Sequence, residues 1–213
     1  MATECTVIVL AAGKGSRYTA GSHKLAAPFG EAGVLATTLR HAIESQLHVV
    51  VVTTEPFAEL ARSNVAARDV VILSELGSDA QGGFGMGHSI AAGVNVRPHA
   101  SGWLILPGDM PRLQPSTLQA VARELDQHPV VYAQHGGLRG HPVGFAAELY
   151  SELVGLTGDE GARRLVARYP AVAIELDDPG ILIDIDTTED LESARRGGPP
   201  HEGLRASGGG VRR

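Results

Sequence analysis

The chain has 213 residues, 43% of them hydrophobic and 20% charged, enough to bury roughly 70% of its unfolded surface in one core. A formal net charge of −6 argues against bulk binding to nucleic acid or to an anionic membrane. The single cysteine, Cys5, excludes an intrachain disulfide and any cysteine-cluster metal site, and it fits a reducing compartment. No apolar run nears the ~20 residues of a membrane span, and no basic n-region opens the chain. A cytoplasmic protein is expected.

In chain order, strand and helix signals alternate. Residues 6–11 (TVIVLA) predict a strand and 34–46 a helix with Leu35, Leu39, Ala42 and Ile43 on one face. A buried strand over 48–53 is followed by a helix over 56–66 and a third strand over 69–73. A short helix from His88 to Val96, a strand over 103–106 and a helix over 116–127 come next, then a strand over 130–134. His141–Phe145 reads as a short strand, 146–154 and 160–168 as helices, and 171–176 and 181–185 as strands. Thr187 or Thr188 caps a last helix that ends at Arg196. Strands that are apolar throughout, separated by helices, predict a mostly parallel sheet covered on both faces. The expected fold is a three-layer α/β/α sandwich of Rossmann-like type, one domain over residues 1–196. The segment 197–213 is expected to form a flexible tail, because it has few large apolar residues.

Such sheets bind ligands at the carboxyl ends of their strands, and two candidate loops lie there. The first strand runs into Ala11-Ala12-Gly13-Lys14-Gly15-Ser16-Arg17, with Lys24 close behind. Small residues let backbone amides wrap a phosphate chain, and the cations neutralise it. A tight strand-to-helix turn is the competing reading. Neither G-x-x-x-x-G-K-[ST] nor G-x-G-x-x-G fits, since Tyr18 occupies the third glycine position of the latter. The second loop, Pro107-Gly108-Asp109-Met110-Pro111, holds an acid between prolines. This suits a metal ligand facing phosphates, or a turn cap.

Asp184 and Asp186 stand two apart in the expected strand over 181–185 and its end, and so share a face. One of them joins Asp109 around Mg²⁺, or both cap the last helix. Glycine-rich stretches at 82–89, 137–143 and 158–164 supply further amides near helix or strand starts, and 137–143 places a cation and an imidazole, Arg139 and His141, at a strand start. His41, His48, His99 and His128 read as surface or packing residues. There is no H-E-x-x-H and no G-x-S-x-G, hence no zinc-protease or serine-hydrolase signature.

Six strings in order, LAAGKGSR with Lys24, GMGHSIAAGV, GDMP, GHPVGF, GDEGARRL and DIDTTEDL, span nearly residues 6 to 195. Together they resemble the nucleotidyltransferases of the molybdenum-cofactor family, specifically the cytidylyltransferase branch, whose fold is of nucleotide-diphospho-sugar transferase type. The resemblance implies transfer of CMP from CTP to the terminal phosphate of molybdopterin, with release of pyrophosphate and with Mg²⁺ as cofactor. The product would be the cytosine dinucleotide form of the cofactor, used by xanthine-dehydrogenase-like enzymes, with a receiving molybdoenzyme as a partner. Ala12, where the guanylyl branch tends to have glycine, and the GHPV string favour cytidine.

By the same resemblance Arg17, Lys24 and Asp109 are catalytic. Leu10, Ala11, Ala12, Gly13, Lys14, Gly15, Gly87, Ser89, Pro107 and Gly108 hold the nucleotide. Arg139, His141, Asp159 and Arg163 face the acceptor, and Asp109 and Asp186, with Asp184 as the alternative, hold the metal. The chain departs from the family at three places. Arg17 and Lys24 stand further apart, Thr188 replaces a proline, and His88 replaces a small residue.

Overall fold

Strand β1 (Thr6–Ala11) lies at the centre of the molecule, and both of its faces are covered by apolar side chains. The computed structural model describes residues 5–13, 15, 18, 23–74 and 85–197. The expected loop residues Lys14 and Arg17, residues 82–84 of the 82–89 stretch, and residues 198–213 of the expected tail lie outside them.

After β1 come a short hairpin, β2 (Pro28–Phe29) and β3 (Ala32–Gly33), and helix α1 (Val34–Glu44). Strand β4 (His48–Thr53), helix α2 (Glu55–Arg62), strand β5 (Val70–Ile72) and helix α3 (Met86–Val96) follow. Next are β6 (Gly102–Pro107), α4 (Pro115–Glu124), β7 (Val130–His135) and β8 (Leu138–Ala146). The chain continues through α5 (Tyr150–Val154), α6 (Arg163–Arg168), β9 (Ala171–Glu175) and α7 (Thr188–Arg195).

The main sheet has seven strands in the order β5-β4-β1-β6-β8-β7-β9. All pairings are parallel except those of β8, which runs against both β6 and β7. Alternate residues of each central strand feed two cores. Val7, Val9, Leu104 and Leu106 meet α1, α2 and α4 through residues such as Leu35, Leu39, Phe57 and Leu118. Ile8, Trp103 and Ile105 meet α3 and α5 through residues such as Ile90, Val94 and Leu153. The expected three-layer α/β sandwich is therefore the observed one. No helix among the described residues is long and apolar enough to cross a membrane.

Helix α3 lies unusually close to the sheet at Gly93. A Cβ there would stand 2.4 Å from Ile8 Cγ2 and 2.8 Å from Val52 Cγ2. Gly93→Ala is expected to destabilise the protein by about 1–3 kcal/mol through overpacking, offset in part by the better helix propensity of alanine. A lower urea midpoint with an unchanged m-value would show this. An unchanged midpoint would mean that α3 lifts off the sheet freely.

Three expectations need correction. Residues 181–185 are not a strand. Residues Pro179–Leu182 form a 3₁₀ turn because Pro179 has no N–H to give and the Asp178 carboxylate takes the N–H of Gly180 at 2.9 Å. The alternating isoleucines of the turn and of the segment after it enter different cores, Ile181 with the α1/α2/α4 layer and Ile183 and Ile185 with α7. The short strand at His141–Phe145 is the middle of the nine-residue β8. It forms a hairpin with β7 across Gly136 and Gly137, both at positive φ (57° and 77°), as a two-residue turn requires. Helix α6 starts only at Arg163, after a turn through Gly161 at φ 57°.

Candidate active site

The carboxyl ends of β1 and β6 lie side by side. Leu10 pairs with Pro107 in parallel register, and the Gly108 N–H donates to the Leu10 carbonyl at 2.8 Å. This joins the two loops read from the sequence. Leu10, Ala12 and Pro107 are half-buried, Ala11 and Gly108 are buried, and Gly13 is open to solvent. Gly15, at φ +59°, accepts the N–H of Tyr18 in a turn.

Lys24 begins a 3₁₀ turn over Lys24–Ala26 that His23 caps. The Leu25 N–H donates to His23 Nδ1 at 3.2 Å, which leaves His23 Nε2 to donate to the Gly13 carbonyl at 3.0 Å. The ring also meets Phe57 edge-on, with centroids 4.8 Å apart. Together with buried Leu25, these contacts fix the backbone from which the Lys24 side chain reaches inward.

Its ammonium lies 2.6 Å from Asp109 Oδ2 and 2.8 Å from Asp186 Oδ1. Three residues far apart in sequence thus meet at one point beside the glycine loop. The Ile185 N–H donates to the Asp109 carbonyl at 3.0 Å and ties the 183–186 segment to the β6 loop. The Asp190 carboxylate accepts the N–H groups of Asp186 and Thr187, and Thr187 caps α7 in a reciprocal capping box.

The electrostatics follow from this crowding. Burial works against the Lys24 ammonium, but Asp109 and Asp186 outweigh it and raise its pKa. Burial first, then the charges of Asp109 and Asp186, push the Asp184 carboxyl up to about 6, with Lys24 opposing. All three acids therefore share one neighbourhood, with Asp109 and Asp186 in direct contact with Lys24. Asp109 Oδ1 is buried and has no hydrogen-bond partner, an arrangement that a cation at this oxygen would satisfy. Among the described residues no three His, Cys, Asp or Glu side chains could by themselves hold a metal. Two carboxylates do fit an ion that takes its remaining ligands from phosphates and water.

A second group of cations gathers on β8 and α6. The Arg139 guanidinium lies 4.6 Å above the Tyr132 ring. Burial, then the positive charges of Arg139 and Arg163, push His141 down to about 4, so its imidazole is neutral at physiological pH. Asp159 is exposed on the preceding loop. That loop is pinned to the start of α3, where the Gly87 N–H donates to the Gly158 carbonyl at 2.9 Å, while the Ser89 N–H donates to Gly85.

Four contributing side chains were not singled out from the sequence. His23 caps the Lys24 turn, and Tyr132 supports Arg139. Glu175 accepts the N–H groups of Gly136 and Gly137 at the hairpin tip, and Asp178 shapes the turn before Asp184. The Gly136-Gly137 pair was the available signal for the hairpin; the others act through contacts distant in sequence. A cavity of about 370 Å³ at the opposite pole, lined by Thr6, His48, Arg97 and His99 among others, is remote from these carboxyl ends.

A family model described as the MobA-like NTP transferase domain matches residues 7–173. The purine catabolism protein PucB of Bacillus subtilis (strain 168) is 33% identical over 199 residues, covering 89% of this chain and 95% of PucB. Among solved structures, Rv0371c from Mycobacterium tuberculosis H37Rv superposes with a TM-score of 0.77 at 27% identity, over 92% of this chain and 99% of that one. A manganese complex of Rv0371c superposes with a TM-score of 0.71 at 25% identity, over 91% and 99%. With the sheet order, the paired acids and the glycine loop in place, these similarities establish that the chain belongs to the MobA-like NTP transferase family and is a nucleotidyltransferase.

Proposed function

We propose that this nucleotidyltransferase moves CMP from CTP to the terminal phosphate of molybdopterin, forming the cytosine dinucleotide cofactor and pyrophosphate. The observation that carries the reading is the meeting of Lys24, Asp109 and Asp186 beside the glycine loop at the carboxyl ends of β1 and β6. In this assignment Leu10–Gly15, Gly87, Ser89, Pro107 and Gly108 surround the nucleotide, and Arg17 and Lys24 neutralise its phosphates. The Arg139, His141 and Arg163 group, with Asp159 nearby, takes the acceptor. Two guanidinium groups beside a neutral imidazole suit a phosphate monoester.

The step needs no protein nucleophile. An oxygen of the acceptor phosphate bonds to the α-phosphorus as the bond from that phosphorus to the β-bridging oxygen breaks, and the electron pair leaves with pyrophosphate. The chain supplies alignment of the two phosphates and cations around the developing charge. Asp109 and Asp186 would hold a divalent ion, assigned as Mg²⁺, which when bound supplies charge neutralisation of the triphosphate. The manganese complex of Rv0371c supports a divalent requirement.

The name of PucB places that relative in purine catabolism, which agrees with a product destined for xanthine-dehydrogenase-like enzymes. A carrier without turnover is disfavoured, since Lys24 contacts both acids and a carrier has no use for that triad. The test is pyrophosphate release with divalent ion and each of the four NTPs, with molybdopterin present or absent. Release with CTP that depends on molybdopterin is expected. Release that depends instead on another phosphorylated acceptor, such as phospholactate or a sugar phosphate, would overturn the acceptor assignment.

Base choice has its own prediction. Ala12→Gly is expected to shift the CTP/GTP ratio of kcat/KM toward GTP by about tenfold, the scale of one methyl group in a packed pocket. An unchanged ratio would place base selection elsewhere.

A further inference from the structure

We propose that Lys24 occupies the position of the divalent ion in the nucleotide-free protein and is drawn off it by the triphosphate, so that metal and nucleotide bind cooperatively through this one side chain. The inference rests on the assignment of Asp109 and Asp186 as the metal pair.

Its basis is geometric. The ammonium sits between the two carboxylates at 2.6 and 2.8 Å, in direct ion-pair contact with both. Three lines of contact deliver it there: the His23 cap, the buried Leu25 anchor and the Ile185–Asp109 backbone bond. An ion arriving at these oxygens meets a cation already in place. Two positive charges repel strongly when half-buried between the same acids. The ion therefore binds well only when the ammonium has another anion to pair with.

The sequence places that anion next door. Lys24 has a flexible four-carbon stem and three N–H donors, and the glycine loop that would hold the triphosphate is bonded to the residue before it, through Gly13 and His23. The backbone of the turn stays fixed while the side chain swings from the acids to the phosphates. By linkage, if nucleotide raises metal affinity, metal raises nucleotide affinity by the same factor. The arrangement also places a counter-ion against one oxygen of each acid before substrate arrives.

The test is Mn²⁺ binding to the full chain, followed by loss of the free-ion electron paramagnetic resonance signal, with and without CTP. Lys24→Met and Lys24→Gln are expected to bind Mn²⁺ without nucleotide about tenfold more tightly than the native chain, and the enhancement by CTP is expected to shrink by a similar factor. Lys24→Arg, which keeps the charge, is expected to remain weak without nucleotide. Nucleotide-free Mn²⁺ affinity unchanged or weakened in both neutral variants, each checked for a native circular dichroism spectrum, would overturn the proposal. Asp109→Asn separates the two levels of the argument. If it binds Mn²⁺ as the native chain does, the metal assignment itself fails, and the role of Lys24 fails with it.

Discussion

Asp109→Asn is expected to lower turnover by about 10³-fold while the protein stays folded. A loss of that size corresponds to about 4 kcal/mol of transition-state stabilisation, within the range of a misplaced or missing metal ligand. Asparagine keeps the shape of the side chain and removes its charge. Asp109 Oδ2 then no longer pairs electrostatically with Lys24, and Oδ1, buried without a protein partner, becomes a poor cation ligand. The fold should tolerate the change. Asp109 contributes repulsion to Asp184, so neutralising it relieves an unfavourable contact as it removes a favourable one. Initial rates of pyrophosphate release and a melting curve on the same sample measure both quantities. A rate within tenfold of the native chain would remove Asp109 from the catalytic machinery. A collapsed melting transition would make it a structural residue instead.

Asp178→Ala is expected to cost about 3–5 kcal/mol of stability, the cost of deleting the charged partner from a buried hydrogen-bond cluster. Only 3% of Asp178 is exposed, and its carboxylate accepts three hydrogen bonds. They come from the Gln114 N–H at 2.9 Å, the Thr117 hydroxyl at 2.6 Å and the Gly180 N–H at 2.9 Å. The first two lie at the start of α4, where a negative charge also suits the helix dipole. The third shapes the 3₁₀ turn that leads to Asp184 and Asp186. Truncation leaves all three donors without this acceptor, two of them in buried hydrogen bonds. Urea denaturation at neutral pH measures the loss, and a loss below about 1 kcal/mol would show that water replaces the carboxylate at small cost. Asp178→Asn should fall between, since its amide oxygen accepts only part of the set.

These two acids show what a sequence conveys about a site. Asp109 was readable because local features surround it: a buried strand ending in Pro-Gly-Asp at the expected ligand end of a parallel sheet. Asp178 sits in an unremarkable Asp-Asp-Pro-Gly string, and nothing local tells that one of the pair reaches across to the start of another helix. Asp184 and Asp186 were readable as a pair, but for a reason that does not hold. They do not alternate along a strand; the 183–186 segment is irregular and is fixed by one backbone bond to Asp109 and by the α7 capping box.

The hydrophobic pattern by itself determined the layers. Strands apolar at every position have to be buried on both faces, and short connections between strands and helices leave few ways to do so. The glycine-rich and acidic turns likewise marked the pole at which Lys24, Asp109 and Asp186 meet, because such turns recur where parallel strands end. What only the tertiary structure decided is the pairing of charges. Lys24 meets Asp109 and Asp186 across sequence separations of 85 and 162 residues, and Arg139, His141 and Arg163 gather from a strand and a helix. Periodicity specifies which face of an element is buried. Which charged side chains then meet depends on strand order, on the antiparallel turn of β8 and on the 3₁₀ turn at Pro179, and these are settled by packing among elements distant in the chain.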